Sequence, residues 1–160
     1  MSIRQKEILG LFFIVFSVLS IISLFGHDIS ESPNGLPDNY KPNNYLGYFG
    51  IWISHYYYTL LGYTSIVFPI ITSFIGYCLF ANKDLKENSL IFIYILLVGI
   101  FFSVFTSYLA NIMDIEILSN YFSGFIGFSL FTFVNHFLGL IGTSLLMFLC
   151  LILFFTYMFN

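Results

Sequence analysis

Residues 47–81 read GYFGIWISHYYYTLLGYTSIVFPIITSFIGYCLFA. Up to Leu61 the stretch is apolar and aromatic, but Ser54, His55 and Thr59 break it. Gly62 interrupts it, and Tyr63–Ala81 then reads as a membrane span. The same plan returns 77 positions later: Gly47, Gly50 and Gly62 align with Gly124, Gly127 and Gly139, Leu61 with Leu138, and Tyr48 with Phe125. A second apolar run, Leu140–Phe159, follows Gly139. Three glycines recurring at a fixed offset mark an internal repeat. The rest of the chain leads into one copy or the other.

Composition sets the solvent. The 160 residues are 59% hydrophobic and 8% charged, with a mean hydropathy of +0.92. A soluble domain carries about 25% charge, so a surface this poor in charge belongs in lipid. No basic patch offers a nucleic-acid footprint. Cys78 and Cys150 both fall inside predicted spans, away from any oxidising aqueous loop, so no disulfide framework is expected.

Outward from the organising stretch, Ile8–Phe25 is apolar apart from its serines and Gly10. As a helix it is long enough to cross about 30 Å of hydrocarbon. It is too long for a signal-peptide core, and Ser23-Leu24-Phe25-Gly26 makes a poor cleavage site. Gly26–Asn44, with Pro33, Pro37, Pro42 and Asn34-Gly35, reads as a loop of net acidic balance: Asp28, Glu31 and Asp38 against Lys41. In Tyr45–Leu61, Leu46, Phe49, Ile53 and Leu60 fall at helical spacing beside Trp52 and Tyr56. Trp and Tyr favour the headgroup level, which suggests an interfacial or re-entrant helix. Pro69 is expected to kink the span that follows.

Asn82–Asn88 is a short charged hairpin, Ser89–Ala110 a third span, and Asn111–Asn120 a loop with Asp114 and Glu116. Tyr121–Leu138 repeats the interfacial pattern around Ser129, Thr132, Asn135 and His136, and Leu140–Phe159 is the fourth span. The predicted fold is an all-α integral membrane protein. One domain, residues 1–160, holds four transmembrane helices in two parallel repeats, with an outer amphipathic helix before the second span of each. Lys6-Glu7 lies 77 positions before Lys83-Asp84, which extends the repeat into its lead-in. Arg4, Lys6, Lys83 and Lys86 fall on one side of the membrane and Lys41 alone on the other, so the positive-inside rule puts both termini in the cytoplasm.

The same residues exclude several chemistries. The predicted spans contain no Asp, Glu, Lys, Arg or His, whereas pumps and proton-coupled transporters carry such groups at membrane depth. His55 and His136 are 81 positions apart and so are not repeat equivalents; as facing haem ligands they would have to meet within the bilayer. Asp114 and Glu116 are ordinary outer-loop acids. No nucleophile elbow, phosphate loop, Walker motif or metal-spaced Cys/His set is present. No catalytic residue, cofactor or metal is expected. Gly99, Ser103 and Ser107 form a small-residue ladder at steps of four, flanked by Phe102, Phe105 and Tyr108. Small residues let helix backbones approach closely in lipid, so this ladder, with Pro69, is read as helix packing.

The pattern Gly47-x-x-Gly50-x-Trp52, an aromatic helix, Leu61-Gly62-Tyr63 and an apolar span with Pro69 resembles the N-terminal membrane domain of FtsK/SpoIIIE-type DNA translocases. Gly124-x-x-Gly127 with Phe137-Leu138-Gly139 is similar to the second half of that domain. The resemblance covers essentially the whole chain. It implies a multi-pass anchor in the bacterial inner membrane at the division septum, homo-oligomeric, in contact with the lipid bilayer and with other division proteins. The family's ATP-driven motor, which moves chromosomal DNA during chromosome partition, has no counterpart motif here. By implication this domain makes no nucleic-acid contact and is not an enzyme by itself. A small transporter or channel subunit, or an unrelated membrane assembly factor, is the alternative.

Overall fold

A computed structural model describes residues 2–36 and 40–158. Pro37, Asp38 and Phe159, which the sequence reading used, lie outside the described residues. Those described form helices α1 (Ile3–Phe25), α2 (Gly47–Leu61), α3 (Val67–Phe80), α4 (Ser89–Ile112) and α5 (Glu116–Met158), with a 3₁₀ turn over Gly62–Ile66. Four stretches are long and apolar enough to cross a membrane: Ile3–Phe25, Gly47–Phe80, Ser89–Ile112 and Tyr121–Tyr157. Large apolar side chains such as Phe12, Phe133, Phe137, Ile141 and Phe148 stand exposed along them. A water-soluble surface does not tolerate apolar patches of that extent. The chain is a multi-pass, all-helical membrane protein.

Several boundaries differ from the sequence reading. α1 begins at Ile3 rather than Ile8, because Ser2 and Gln5 form a reciprocal capping box. α4 runs to Ile112, and α5 begins at Glu116, so the presumed loop over 111–120 shrinks to a turn about Asp114, whose φ is 57°. Pro69 does not kink a span. α3 starts at Val67, which puts Pro69 in its first turn, where an N–H would have no intrahelical partner anyway. The break falls earlier, in the 3₁₀ turn.

α2 is turned inside out relative to a soluble helix. Its buried residues are Gly50, Ile51, Ser54 and Leu61, while Phe49, Trp52, Tyr56 and Leu60 are exposed. In lipid, apolar side chains gain nothing by avoiding the solvent, so close packing selects the small and polar face. α1 follows the same rule, burying Gly10, Ser17, Ser20 and Ser23. The Ser17 hydroxyl donates to the Pro69 carbonyl at 2.7 Å and the Ser23 hydroxyl to the Gly50 carbonyl at 2.6 Å. α1 packs along α3, and α4 along α5. Phe101, Val104, Phe131 and Met147 form the apolar core of the second pair.

The α1–α3 contact is a backbone contact. A methyl group at Gly10 would lie 2.6 Å from the Phe80 nitrogen and 2.7 Å from the Gly76 carbonyl oxygen, and one at Gly76 would lie 2.8 Å from the Gly10 oxygen. Overpacking of this kind costs about 1–3 kcal/mol. Gly10→Ala is therefore predicted to lower the melting temperature in detergent, while Gly35→Ala, with no described residue within 4 Å, leaves it unchanged. Equal melting of the two variants would contradict the close approach.

Candidate functional site

Four glycines among the described residues have left-handed φ: Gly47 (62°), Gly62 (60°), Gly124 (63°) and Gly139 (68°). They are two pairs separated by the 77-residue offset. Gly62 ends α2, and Gly124 and Gly139 are non-helical points inside α5. Gly62 and Gly124 meet. A methyl at Gly62 would strike the Phe122 carbonyl and lie 2.8 Å from the Gly124 nitrogen; one at Gly124 would strike the Gly62 nitrogen and lie 2.7 Å from the Leu60 carbonyl carbon. Both φ and space demand glycine here. The rings of Tyr63 and Phe122 stack beside this joint at 4.5 Å.

A helix break at membrane depth frees backbone carbonyls, and lipid offers them no partner. α4 supplies the partners. The Ser103 hydroxyl donates to the Ser123 carbonyl, and the Thr106 hydroxyl reaches the Phe122 carbonyl at 3.5 Å. Gly127 sits directly over Ser103. Gly99 faces Val67 at the start of α3, and Ser107 is fully buried. Within the ladder, then, Gly99 faces α3 and Ser103 faces the kinked helix α5.

At the loop end, Asn44 ties α1 to α2. It is buried, and its amide donates to the carbonyls of Ser23 (2.9 Å) and Gly26 (3.0 Å), while its oxygen accepts from the Leu46 N–H (3.1 Å). One side chain thus satisfies terminal groups of two helices. Gly50 lies against that oxygen. The sequence reading placed Asn44 at a loop end and gave it no role; an Asx residue two positions before the residue that caps a helix was the available signal.

Between α2 and the Gly124 break lies a cleft of about 340 Å³ lined by His27, His55, Tyr58, Thr59, Tyr121 and Phe125, among others. His27 stacks on Tyr58 with ring centroids 4.1 Å apart, and its Nδ1 lies 3.3 Å from the Ser54 hydroxyl. His136 is exposed on α5, away from this cleft. Among the described residues no three His, Cys, Asp or Glu side chains converge in a metal-binding arrangement. Asp114 is exposed, and the Glu116 side chain lies outside the described residues. What the cleft presents is an aromatic wall with two imidazoles, those of His27 and His55.

The family model for the 4TM region of DNA translocase FtsK/SpoIIIE matches residues 2–160. The chain belongs to that family. It is a membrane domain of the FtsK/SpoIIIE translocases. Neither a curated protein nor a solved structure matches it.

In this FtsK/SpoIIIE membrane domain the loop end carries a half-buried histidine, His27. Burial holds the His27 pKa below its ordinary value of 6.5, and the neighbouring His55 pushes the same way; Asp28 and Glu31 oppose them. The folded state therefore favours neutral His27. That preference costs nothing above pH 6.5 and destabilises the fold as pH falls from 6.5 through the lowered pKa. Melting in detergent should drop across this window, and His27→Gln should flatten the drop; an unchanged slope would assign it to other groups. Asn44→Ala, which strands buried carbonyls, should cost about 1–3 kcal/mol, read by denaturation at neutral pH. A loss within experimental error would show that water reaches those carbonyls.

Proposed function

We propose that this domain anchors an FtsK/SpoIIIE translocase in the bacterial inner membrane at the closing septum. Both termini lie in the cytoplasm, so a motor joined to the domain works on the side where the chromosome is. The anchor acts in several copies and contacts other division-site membrane proteins through its outer face, while DNA is handled by the motor alone. The observation that carries this reading is the family match over residues 2–160. The basic residues support the orientation. α1 packs against α3 with Gly10 beside Phe80, so Arg4 and Lys6 share an end of the bundle with Lys83 and Lys86. Lys41 alone marks the other end.

The two copies are proposed to be parallel, because each contributes an even number of spans and their left-handed glycines recur in register. The 26–44 loop and the α4–α5 turn then share the outer side, with the aromatic cleft between them. In a chain lacking Cys78 and Cys150, single cysteines at Asn43 and Met113, both exposed, should each react with an impermeant thiol reagent added to intact spheroplasts. A reporter fused after the last residue should be active only in the cytoplasm. Labelling of one cysteine alone would refute the parallel arrangement, and a periplasmic reporter signal would refute the anchor's orientation.

A further inference from the structure

The joint between the two copies leaves two half-joints unused. Inside the chain, Gly62 of the first copy abuts Gly124 of the second. Shifted by 77 residues, the same contact would pair Gly139 with Gly47. Those two glycines hold the same left-handed φ as their counterparts. Among the described residues nothing lies within 4 Å of a methyl built at either. Two parallel copies close both joints only when a half-turn relates them; here one joint forms and one rear edge and one forward edge stay open.

The surroundings repeat the pattern. Leu61 beside the internal joint is fully buried, while its equivalent Leu138 is 45% exposed. The stacked pair Phe122 and Tyr63 has as its equivalents Tyr45, 75% exposed, and Leu140, 46% exposed. Phe137 and Ile141 flank the open Gly139 and are among the most exposed apolar side chains described. Each open edge is therefore the apolar and backbone complement of the other, although one chain cannot bring them together as it does Gly62 and Gly124.

We propose that this domain associates head to tail with further copies of itself, the Gly139 edge of one chain packing on the Gly47 edge of the next. The contact reuses the geometry that already joins the two halves within a chain. Such an interface is heterologous: it closes into a ring if the rotation per copy permits and otherwise extends. The partner is a second copy because the matching edge of the same repeat has the shape that receives a left-handed glycine edge, as Gly124 receives Gly62. The inference rests on the multi-copy anchor proposed above and gives that assembly a contact surface.

The test uses the full chain in native membranes, in a background without Cys78 and Cys150. One population of chains carries Tyr45→Cys and another carries Leu140→Cys, and both are treated with a short bifunctional thiol reagent. Covalent dimer should form when the two are co-expressed and should be absent when either is expressed alone. A chain carrying both substitutions should give a ladder of covalent multimers whose highest rung reports the number of copies. Dimer from either single variant alone would indicate a symmetric contact and overturn the head-to-tail joint. Absence of dimer in the mixed membranes would also overturn it, as would the double variant cross-linking only within one chain. Mass measurement in mild detergent separates the outcomes: multimers without cross-linking retain the multi-copy anchor but reject this surface, whereas monomers with bound phospholipid assign both edges to lipid and reject both.

Discussion

The architecture depends on a contact between two pieces of backbone. At Gly62 and Gly124 the main chains of the two halves touch without intervening side chains. In water, such halves would be held by burial of apolar surface. In lipid that driving force is absent, and association relies on close van der Waals packing and on hydrogen bonds that lipid cannot supply. The joint provides both. Glycine permits the approach, and the Ser103 hydroxyl takes up a carbonyl that the break at Gly124 releases. Where the fold loses a helical hydrogen bond, a small polar residue of a neighbouring helix stands ready.

The same logic explains why serine is the characteristic buried residue of this protein. Ser17, Ser20, Ser23, Ser54, Ser65, Ser103, Ser107 and Ser123 are all buried, while many phenylalanines and leucines, such as Phe12, Phe133, Phe137 and Leu145, face outward. A serine is small enough to let helices approach, and its hydroxyl can return to a backbone carbonyl, as Ser20 does to Phe16 at 2.8 Å. Much of the aromatic bulk stands on the outer surface, apart from core rings such as Phe101 and Phe131. The loop end obeys a different rule. There Asn44 and Glu31 are buried among backbone groups that would otherwise be unpaired, Glu31 accepting from the Tyr40 hydroxyl and the Asn43 N–H. Those contacts tie Glu31 to Tyr40 and Asn43, just ahead of α2.

Much of this was legible in the sequence, for physical reasons. Glycines in apolar surroundings at a fixed offset have few uses other than backbone conformation and close approach, so Gly47, Gly62, Gly124 and Gly139 stood out before their φ angles were known. The absence of charge from the spans identified lipid as the solvent. Other features were illegible because they depend on partners distant in sequence. That α2 would bury Gly50, Ile51 and Ser54 rather than its aromatic face depends on which side α1 and α5 occupy. The serine stripe of α1 was visible as a spacing, yet its purpose required Pro69 and Gly50 to be brought opposite. Pro69 misled because a kink and a helix start look alike until the first residue of α3 is located.

The central claim is that the two halves are held together at the Gly62–Gly124 backbone contact. A double-mutant cycle tests it most directly. Alanine at either glycine alone carries a backbone strain of roughly 1–3 kcal/mol, because positive φ with extended ψ is essentially reserved for glycine, besides any clash. Strain is local and adds; a shared contact does not, because the first substitution already forces the backbones apart. Unfolding in detergent of Gly62→Ala, Gly124→Ala and the double variant should show the double to be less damaging than the sum of the singles, with a coupling of about 0.5–3 kcal/mol. Strict additivity of the two losses would contradict the account.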